Sequence, residues 1–277
     1  MQSDLLTDAE IQTYFHRLGI ELPAAPVCDS RLLCRLQYAH VTRIPFENLD
    51  ILSGIALPMT RRGQFRKVVL GRRGGYCFEL NGLFACLLES LGYQVTSYLG
   101  RYLRDQTEIP MRRHRVIRVE CAEGTWLCDV AIGQHAPRVP LQLVPNLVQE
   151  QYGETYRFTR EPFLGWVLYD QYNGQWRRFY SFTEEEQLDI DYVAPSFYCE
   201  KASDSIFNKA PMLSIKTEEG RKTLDGRTFR VFSPAGVHEE VIEEAGRLIE
   251  ILDSQFNLGV ADEAQACVWL SAGKSVR

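Results

Sequence analysis

The run Arg72-Arg73-Gly74-Gly75-Tyr76-Cys77-Phe78-Glu79-Leu80-Asn81 constrains this chain more than any other stretch. It sends a glycine-permitted turn straight into a helix and puts a cysteine at the junction. Leu80, Leu83, Phe84, Leu87, Leu88 and Leu91 recur at three- and four-residue steps, and Gly92 offers a left-handed stop. The spacing predicts an amphipathic helix ending there. Cys77 then falls in its first turn, among unpaired N–H groups at the positive end of the dipole, with two arginines just upstream. Both effects favour thiolate over thiol. Gly74 and Gly75 are expected to let the backbone turn and to leave room for something to approach the sulfur. By itself a helix-start cysteine is more often a small buried hydrophobe than a nucleophile. The rest of the chain decides.

A thiolate that attacks a carbonyl needs a base, and the base needs an orienting group. Of the five histidines, His16, His40, His135 and His238 fall near helices or loops, whereas His114 heads a predicted strand over 114–121. The next predicted strand, 125–132, carries Asp129 and is joined to the first by the short turn Ala122-Glu123-Gly124. In a hairpin whose loop is even-numbered, opposed residues have numbers that sum to an odd value, and on that parity His114 and Asp129 share a face of neighbouring strands. Asp129 is flanked by Leu127, Cys128, Val130 and Ala131, and a carboxylate in an apolar strand is costly unless paired. Read alone, Asp129 could cap backbone amides, and His114 could be a solvated residue among Arg112, Arg113 and Arg115. A Cys–His–Asp order on a helix followed by a hairpin is instead the core of papain-like and transglutaminase-like nucleophiles.

Around this core the chain divides into three. Thr7-Asp8-Ala9-Glu10 is a capping box for a helix with Ile11, Tyr14, Phe15 and Leu18 on one face, His16 off it and Gly19 at its end. Asp29 or Ser30 starts a second helix through Leu32, Leu33, Leu36 and Ala39. Pro45 makes 44–50 a turn-rich loop, and a short helix with Phe65, Val68, Val69 and Leu70 leads into the cysteine turn. Residues 1–92 thus read as a helical bundle carrying the nucleophile. From 93 to 195, β-branched and aromatic segments at 94–103, 114–121, 125–132, 165–169 and 175–179 predict an antiparallel β-barrel carrying the histidine and aspartate. Asn173-Gly174 marks a tight hairpin. Residues 196–277 form a smaller α/β lid, with a hairpin around Asp225-Gly226. A final amphipathic helix follows Pro234 and carries Val241, Ile242, Ala245, Leu248, Ile249 and Leu252. The fold class is α+β.

Composition rules out several classes. With 277 residues, 45% hydrophobic and 24% charged, the chain has ample material for a core. A net charge of −5 with interspersed signs gives no nucleic-acid footprint. No 18-residue apolar run exists, and residues 1–4 lack the basic start of a signal peptide, so neither membrane nor secretion is expected. The eight cysteines show neither C-x-x-C pairs nor zinc-ligand spacing, so no metal is expected. They read as reduced thiols in a cytoplasmic protein.

The chain resembles the arylamine N-acetyltransferases over about residues 8–145. Arg73-Gly74-Gly75-Tyr76-Cys77-Phe78-Glu79 with Asn81 is similar to that family's nucleophile motif, and Ile44-Pro45-Phe46-Glu47-Asn48-Leu49 to its upstream loop. His114-Arg115 and Asp129-Val130 match its other two stations. The resemblance implies the same three-part fold and a ping-pong transfer of acetyl from acetyl-CoA to an arylamine, arylhydrazine or N-hydroxyarylamine. It implies that Cys77 is acylated, that His114 handles the proton and that Asp129 fixes the imidazole. It also implies that Glu47 and Arg73 pair in support of the site, and that Gly133 touches coenzyme A.

Two departures stand out. Where the family has Gly-Phe-Gly after its Asp-Val, this chain has Ala131-Ile132-Gly133, which implies a non-aromatic wall at Ile132 in the acceptor pocket. Between Tyr198 and Phe207, a run with Glu200 and Asp204 replaces the family's Ser-Thr-His-Pro segment, which borders the coenzyme cleft. These departures keep a related amide synthase using a larger acyl thioester open as an alternative. A cysteine hydrolase and a non-catalytic binding protein on the same fold are the remaining readings.

Overall fold

A computed structural model describes residues 5–260 and 262–272 of the chain. Residues 1–4, part of the expectation of no signal peptide, and residues 273–277 of the expected lid lie outside them. No helix among the described residues is long and apolar enough to cross a membrane.

Helix α1 (Asp8–Leu18) opens on the expected capping box: Glu10 N donates to Thr7 Oγ1 at 3.4 Å and Thr7 N to Glu10 Oε2 at 2.8 Å. Helix α2 (Ser30–Arg43) is capped by Asp29, whose Oδ1 accepts from Leu32 N at 2.8 Å. The loop expected at 44–50 contains a single helical turn, α3 (Leu49–Leu52). Helix α4 (Arg61–Phe65) runs on as a π-helical turn, Arg66–Leu70, that buries Val68 and Val69 but turns Leu70 outward.

Helix α5 (Cys77–Leu91) departs from the amphipathic expectation. Every residue from Cys77 to Leu88 is buried. It is the hub of the molecule, packed by the other helices on one side and by the first strands on the other. Leu80, Leu83, Leu87 and Leu88 are each 0% exposed. At about 1.5–3 kcal/mol for each leucine taken from water, this helix anchors its neighbours far more firmly than its own propensity would.

The central sheet has eight antiparallel strands in the order β4-β3-β2-β1-β8-β7-β6-β5. They are β1 (Gln94–Tyr102), β2 (His114–Cys121), β3 (Gly124–Cys128), β4 (Leu141–Gln142), β5 (Gln149–Gln151), β6 (Glu154–Glu161), β7 (Gly165–Tyr172) and β8 (Gln175–Glu186). The edges β4 and β5 meet through Gln149, whose side chain exchanges hydrogen bonds with the Gln142 backbone at 2.7 and 3.0 Å. The result is a nearly closed barrel. Asn173 and Gly174 both take positive φ, 49° and 74°, in the hairpin turn between β7 and β8. The β2–β3 register pairs Ile117 with Cys128, an odd sum as expected. Strand β3, however, stops at Cys128, so Asp129 lies just beyond the strand rather than within it. The reason is local: Val130 N and Ala131 N donate to the side chains of Asn81 and Asp129 instead of to a neighbouring strand.

Helix α6 (Val193–Lys201) follows, then a four-stranded sheet in the order β12-β11-β10-β9. Its strands are β9 (Met212–Lys216), β10 (Arg221–Asp225), β11 (Thr228–Ser233) and β12 (Gly236–Val241). The segment after Pro234 is a strand, not the start of the final helix. Pro234-Ala235 form a two-residue turn and Gly236 takes φ 121°, so β12 folds back on β11 and leaves Val241 exposed. The expected helix begins only at Ala245, as α7 (Ala245–Phe256), and a second one, α8 (Glu263–Ala272), was not anticipated. Trp269 of α8 is fully buried, and its indole N–H reaches Leu49 O at 3.2 Å and Ser53 Oγ at 2.9 Å. Helix α8 is thereby fastened to α3.

Candidate active site

The turn before Cys77 exists because another loop lies against it. A Cβ on Gly74 would sit 2.2 Å from Pro45 O and 2.7 Å from Glu47 Cγ. Glu47 N donates to Gly75 O at 2.8 Å, joining the two segments. Gly74 and Gly75 were expected to clear a path to the sulfur; the space is taken instead by the chain's own 45–47 loop and, at Gly75, by the Glu79 carboxylate. The arginines also differ from expectation. Arg73 Nη2 bonds Glu47 Oε1 and Asp50 Oδ1, both at 2.8 Å, and Arg72 reaches Asn257 Oδ1 at 3.0 Å. Their charge is directed to those partners rather than to Cys77.

Cys77 is the first residue of α5 and its thiol donates towards Arg113 O, 3.7 Å away. Burial pushes this thiol well above its ordinary range, and the nearby Cys199 and Asp129 add to the effect, while hydrogen bonds from backbone groups oppose it. The helix start therefore does not by itself yield a thiolate. A base must take the proton.

His114 begins β2 with 3% exposure, and its Nε2 lies 2.7 Å from Asp129 Oδ2. Asp129, 1% exposed, is held from three sides. Its Oδ1 accepts from Asn81 Nδ2 at 3.0 Å and from Ala131 N at 2.9 Å, while Asp129 N donates to Gln37 Oε1 at 3.3 Å. Asn81 also donates to Arg115 O at 2.7 Å and accepts from Val130 N at 2.9 Å, stitching α5 to both segments of the hairpin. The Tyr180 ring lies 5.4 Å from the His114 ring, its phenol pushed well up by burial and then by the Asp129 charge. With Nε2 committed to the carboxylate, Nδ1 is the imidazole nitrogen left for a substrate or thiol proton.

Cys77 and His114 line one cavity of about 360 Å³ with Ile132, Gly133, Phe46 and Phe207. A second cavity of about 610 Å³, mainly polar, continues from it and shares Arg104, Asp105, Gln134, His135 and Asp225. Arg104 is 5% exposed and bonds Asp170 through Nη2 at 2.6 Å, and its buried Nε and Nη1 have no hydrogen-bond partner among the described residues.

This arrangement has known counterparts. A family model described as N-acetyltransferase matches residues 31–265. The chain is 34% identical over 252 residues to an arylamine N-acetyltransferase of Escherichia coli K12, covering 90% of this chain and 89% of that protein. The chain belongs to the arylamine N-acetyltransferase family. Among solved structures, the arylamine N-acetyltransferase of Salmonella typhimurium superposes with a TM-score of 0.91 at 29% identity, over 96% of this chain and all of that one. The Mycobacterium marinum arylamine N-acetyltransferase in complex with CoA gives 0.86 at 28% identity, over 96% and 99%. The chain is thus an acyltransferase, and the amide-synthase alternative is not favoured.

In this arylamine N-acetyltransferase family member, the residues singled out from the sequence divide into those that line the cavity and those that hold them or their turn. Cys77, His114, Ile132 and Gly133 line it, Asp129 holds His114, and Glu47 and Arg73 pair behind the turn. The departing segment contributes Ile206 to the wall, next to the Phe207 that bounds it, whereas Glu200 and Asp204 accept hydrogen bonds from Ser196 and Tyr198. Sequence reasoning gave no role to Asn81, Tyr180, Gln37, Arg104 or His135. Asn81 had a signal: four residues after Cys77, it shares the cysteine's helix face. Tyr180, Gln37 and Arg104 come from remote elements and had none. His135 was set aside as a loop residue, yet it lines both cavities. Burial and the surrounding cations Arg104, Arg221, Lys216 and Arg177 push it down to about 3, so it stays neutral.

Proposed function

We propose that the chain transfers an acetyl group from acetyl-CoA to an arylamine, arylhydrazine or N-hydroxyarylamine through a thioester on Cys77. The observation that carries this is the junction of Cys77 with the buried His114–Asp129 pair on one cavity wall. In the first half-reaction the Cys77 thiol passes its proton to His114 Nδ1 as the sulfur attacks the thioester carbonyl. Asp129 holds the Nε2–H and stabilises the imidazolium that forms. The backbone N–H of Cys77, at the open end of α5, receives the developing oxyanion. The coenzyme leaves as a thiolate and collects the proton from His114. Two thioesters of similar energy are exchanged, so little assistance is needed. In the second half-reaction the amine, largely neutral at pH 7, attacks the acetyl-cysteine. His114 accepts the amine proton and returns it to the sulfur.

Acetyl-CoA fits the paired cavities. The acetyl end belongs beside Cys77 with Gly133 at its flank, and the phosphates belong towards the polar cavity, where Arg104 offers unpartnered N–H groups. Ile132 forms part of the acceptor wall. The same reading divides the chain into the bundle of residues 1–92, the barrel of 93–195 and the lid of 196–277. It also places the protein in the cytoplasm, where eight free thiols are kept reduced.

Intact-protein mass spectrometry tests this directly. Mixing with acetyl-CoA should add one acetyl group, absent in Cys77→Ala, and an arylamine should discharge it. An adduct removed by water but indifferent to amine would replace the transferase reading with a hydrolase. No adduct at all would remove acetyl-CoA as the donor.

A further inference from the structure

Five charged side chains form one buried chain around the turn that delivers Cys77. Arg73 joins Glu47 to Asp50, and Lys67 Nζ continues it, 2.9 Å from Asp50 Oδ2 and 2.8 Å from Glu79 Oε1. The far oxygen of Glu79, Oε2, accepts the backbone N–H of Tyr76 at 3.2 Å. That N–H belongs to the residue immediately before Cys77 and is one of the donors a helix start leaves unsatisfied. Glu79 is 0% exposed, Glu47 1% and Asp50 6%, so these carboxylates have no access to solvent screening. The resemblance to the family accounts for the Glu47–Arg73 arm. Nothing yet accounts for the arm that runs through Lys67 to Glu79.

The charge count gives that arm a consequence. Three carboxylates face two cations, so the first turn of α5 carries a surplus of negative charge at the place where a thiolate has to form. Lys67 is the cation that offsets Glu79. Burial pushes Glu79 up to about 7, with Lys67 pulling it down and Glu47 pushing it further up, so the group changes charge near neutrality. Burial disfavours the Lys67 charge, but Glu79, Glu47 and Asp50 together outweigh it, so Lys67 stays charged. From the other elements, Cys77 is faced by Asp129 after β3, by Cys199 on α6 and by His114 across the cavity. Glu79 stands two residues after Cys77 in the first turn of α5, and Lys67 is its ion-pair partner.

We propose that Lys67 and Glu79 are positioning residues for the nucleophile: the pair clamps the Tyr76 N–H at the entry to α5, and its charge balance sets how readily Cys77 releases its proton. This rests on Cys77 being the nucleophile, and the test separates the two. The rate of Cys77 alkylation by iodoacetamide is followed by peptide mass spectrometry from about pH 6 to pH 9, with the exposed Cys267 as internal reference.

Glu79→Gln keeps an oxygen for the Tyr76 N–H and removes a negative charge, so the Cys77 profile should move to lower pH. Lys67→Met removes the positive charge and lets Glu79 hold its proton to higher pH, so the Cys77 profile should move to higher pH on its alkaline side, where Glu79 is ionised. A shift of half a pH unit is read as about a threefold change in rate at fixed pH on the rising limb. Glu79→Ala, which loses the acceptor, should slow alkylation across the whole range, and Glu79→Gln should restore it. Cys267 should be unaffected throughout. Identical profiles in the wild type, Glu79→Gln and Lys67→Met, or shifts of the same sign, would overturn the proposal even if melting temperatures fall. Should Lys67→Met fail to fold, the sign of the Glu79→Gln shift decides alone. If wild-type Cys77 alkylates no faster than Cys267, the nucleophile assignment itself fails and the proposal with it.

Discussion

The two halves of the site hold their key residues by opposite means. The cysteine half is ionic: Glu47, Asp50, Lys67, Arg73 and Glu79 form a buried chain of charges that fixes the 73–77 turn. The histidine half has a single carboxylate, Asp129, held by an amide side chain and a backbone N–H and aimed at one imidazole nitrogen. In the first half, charges largely offset each other, with one carboxylate in excess, and build geometry. In the second, the charge is kept for an imidazolium that forms only during reaction. The difference predicts that damage to the first half is felt mainly in stability, and damage to the second mainly in rate.

Asp129→Asn should produce the largest effect. The shape is kept, but the substituted amide can offer His114 a donor where an acceptor is needed, favouring the wrong tautomer. By analogy with other triads kcat should fall by about 10⁴-fold, with the melting temperature nearly unchanged. Single-turnover acylation followed beside thermal unfolding reads both. A fall in stability to match the loss of rate would erase the contrast between the halves.

Arg73→Ala is the converse. It leaves buried Glu47 without its cation and Asp50 with Lys67 alone, a change expected to cost about 3–5 kcal/mol of stability. Chemical denaturation should show this as an earlier midpoint, and activity per folded molecule should fall far less than in Asp129→Asn. Asn81→Ala lies between the two. It removes a hydrogen bond to a charged group, worth about 1.5–3 kcal/mol, and should cost roughly tenfold to a hundredfold in acylation rate. Because Asn81 also bonds Arg115 O and Val130 N, some loss of stability should accompany it.

The sequence made the site legible where chemistry and local geometry coincide. Cys77 at a helix start, and His114 and Asp129 related by hairpin parity, could be read because three- and two-residue periodicities translate directly into which side chains share a face. The extent of α5's burial could not. Its leucine stripe has the period of an amphipathic helix, and only packing on both sides shows why Phe78, Glu79 and Gly82 are buried as well. The end of β3 was misplaced because Asp129, Val130 and Ala131 look like strand residues. The Asn81 amide, 48 residues before Asp129 in the chain, donates to the Asp129 carboxylate and accepts the Val130 N–H, and this decides that they are not. Near the C-terminus, Val241 and Ile242 matched a helical pattern that Pro234 and Gly236 had already pre-empted with a tight turn. Helix α8 gave almost no pattern, since it buries only Ala266, Trp269 and Leu270, with the Trp269 indole bonded to α3.

Ile132→Phe carries the smallest effect and tests the wall that the two halves share. Ile132 lines the cavity with His114 and Phe207 and belongs neither to the ionic chain nor to the histidine–carboxylate pair. An aromatic ring there should leave both the acylation rate and the melting temperature close to wild type, because neither half is disturbed. What should change is the choice of amine. Reshaping an apolar wall by a few carbon atoms is worth about 1–3 kcal/mol, so the ratio of kcat/KM between a bulky and a small arylamine should move by at least about fivefold. If acylation by acetyl-CoA changes while the amine ratio does not, Ile132 faces the donor, and the acceptor enters from another side of the cavity.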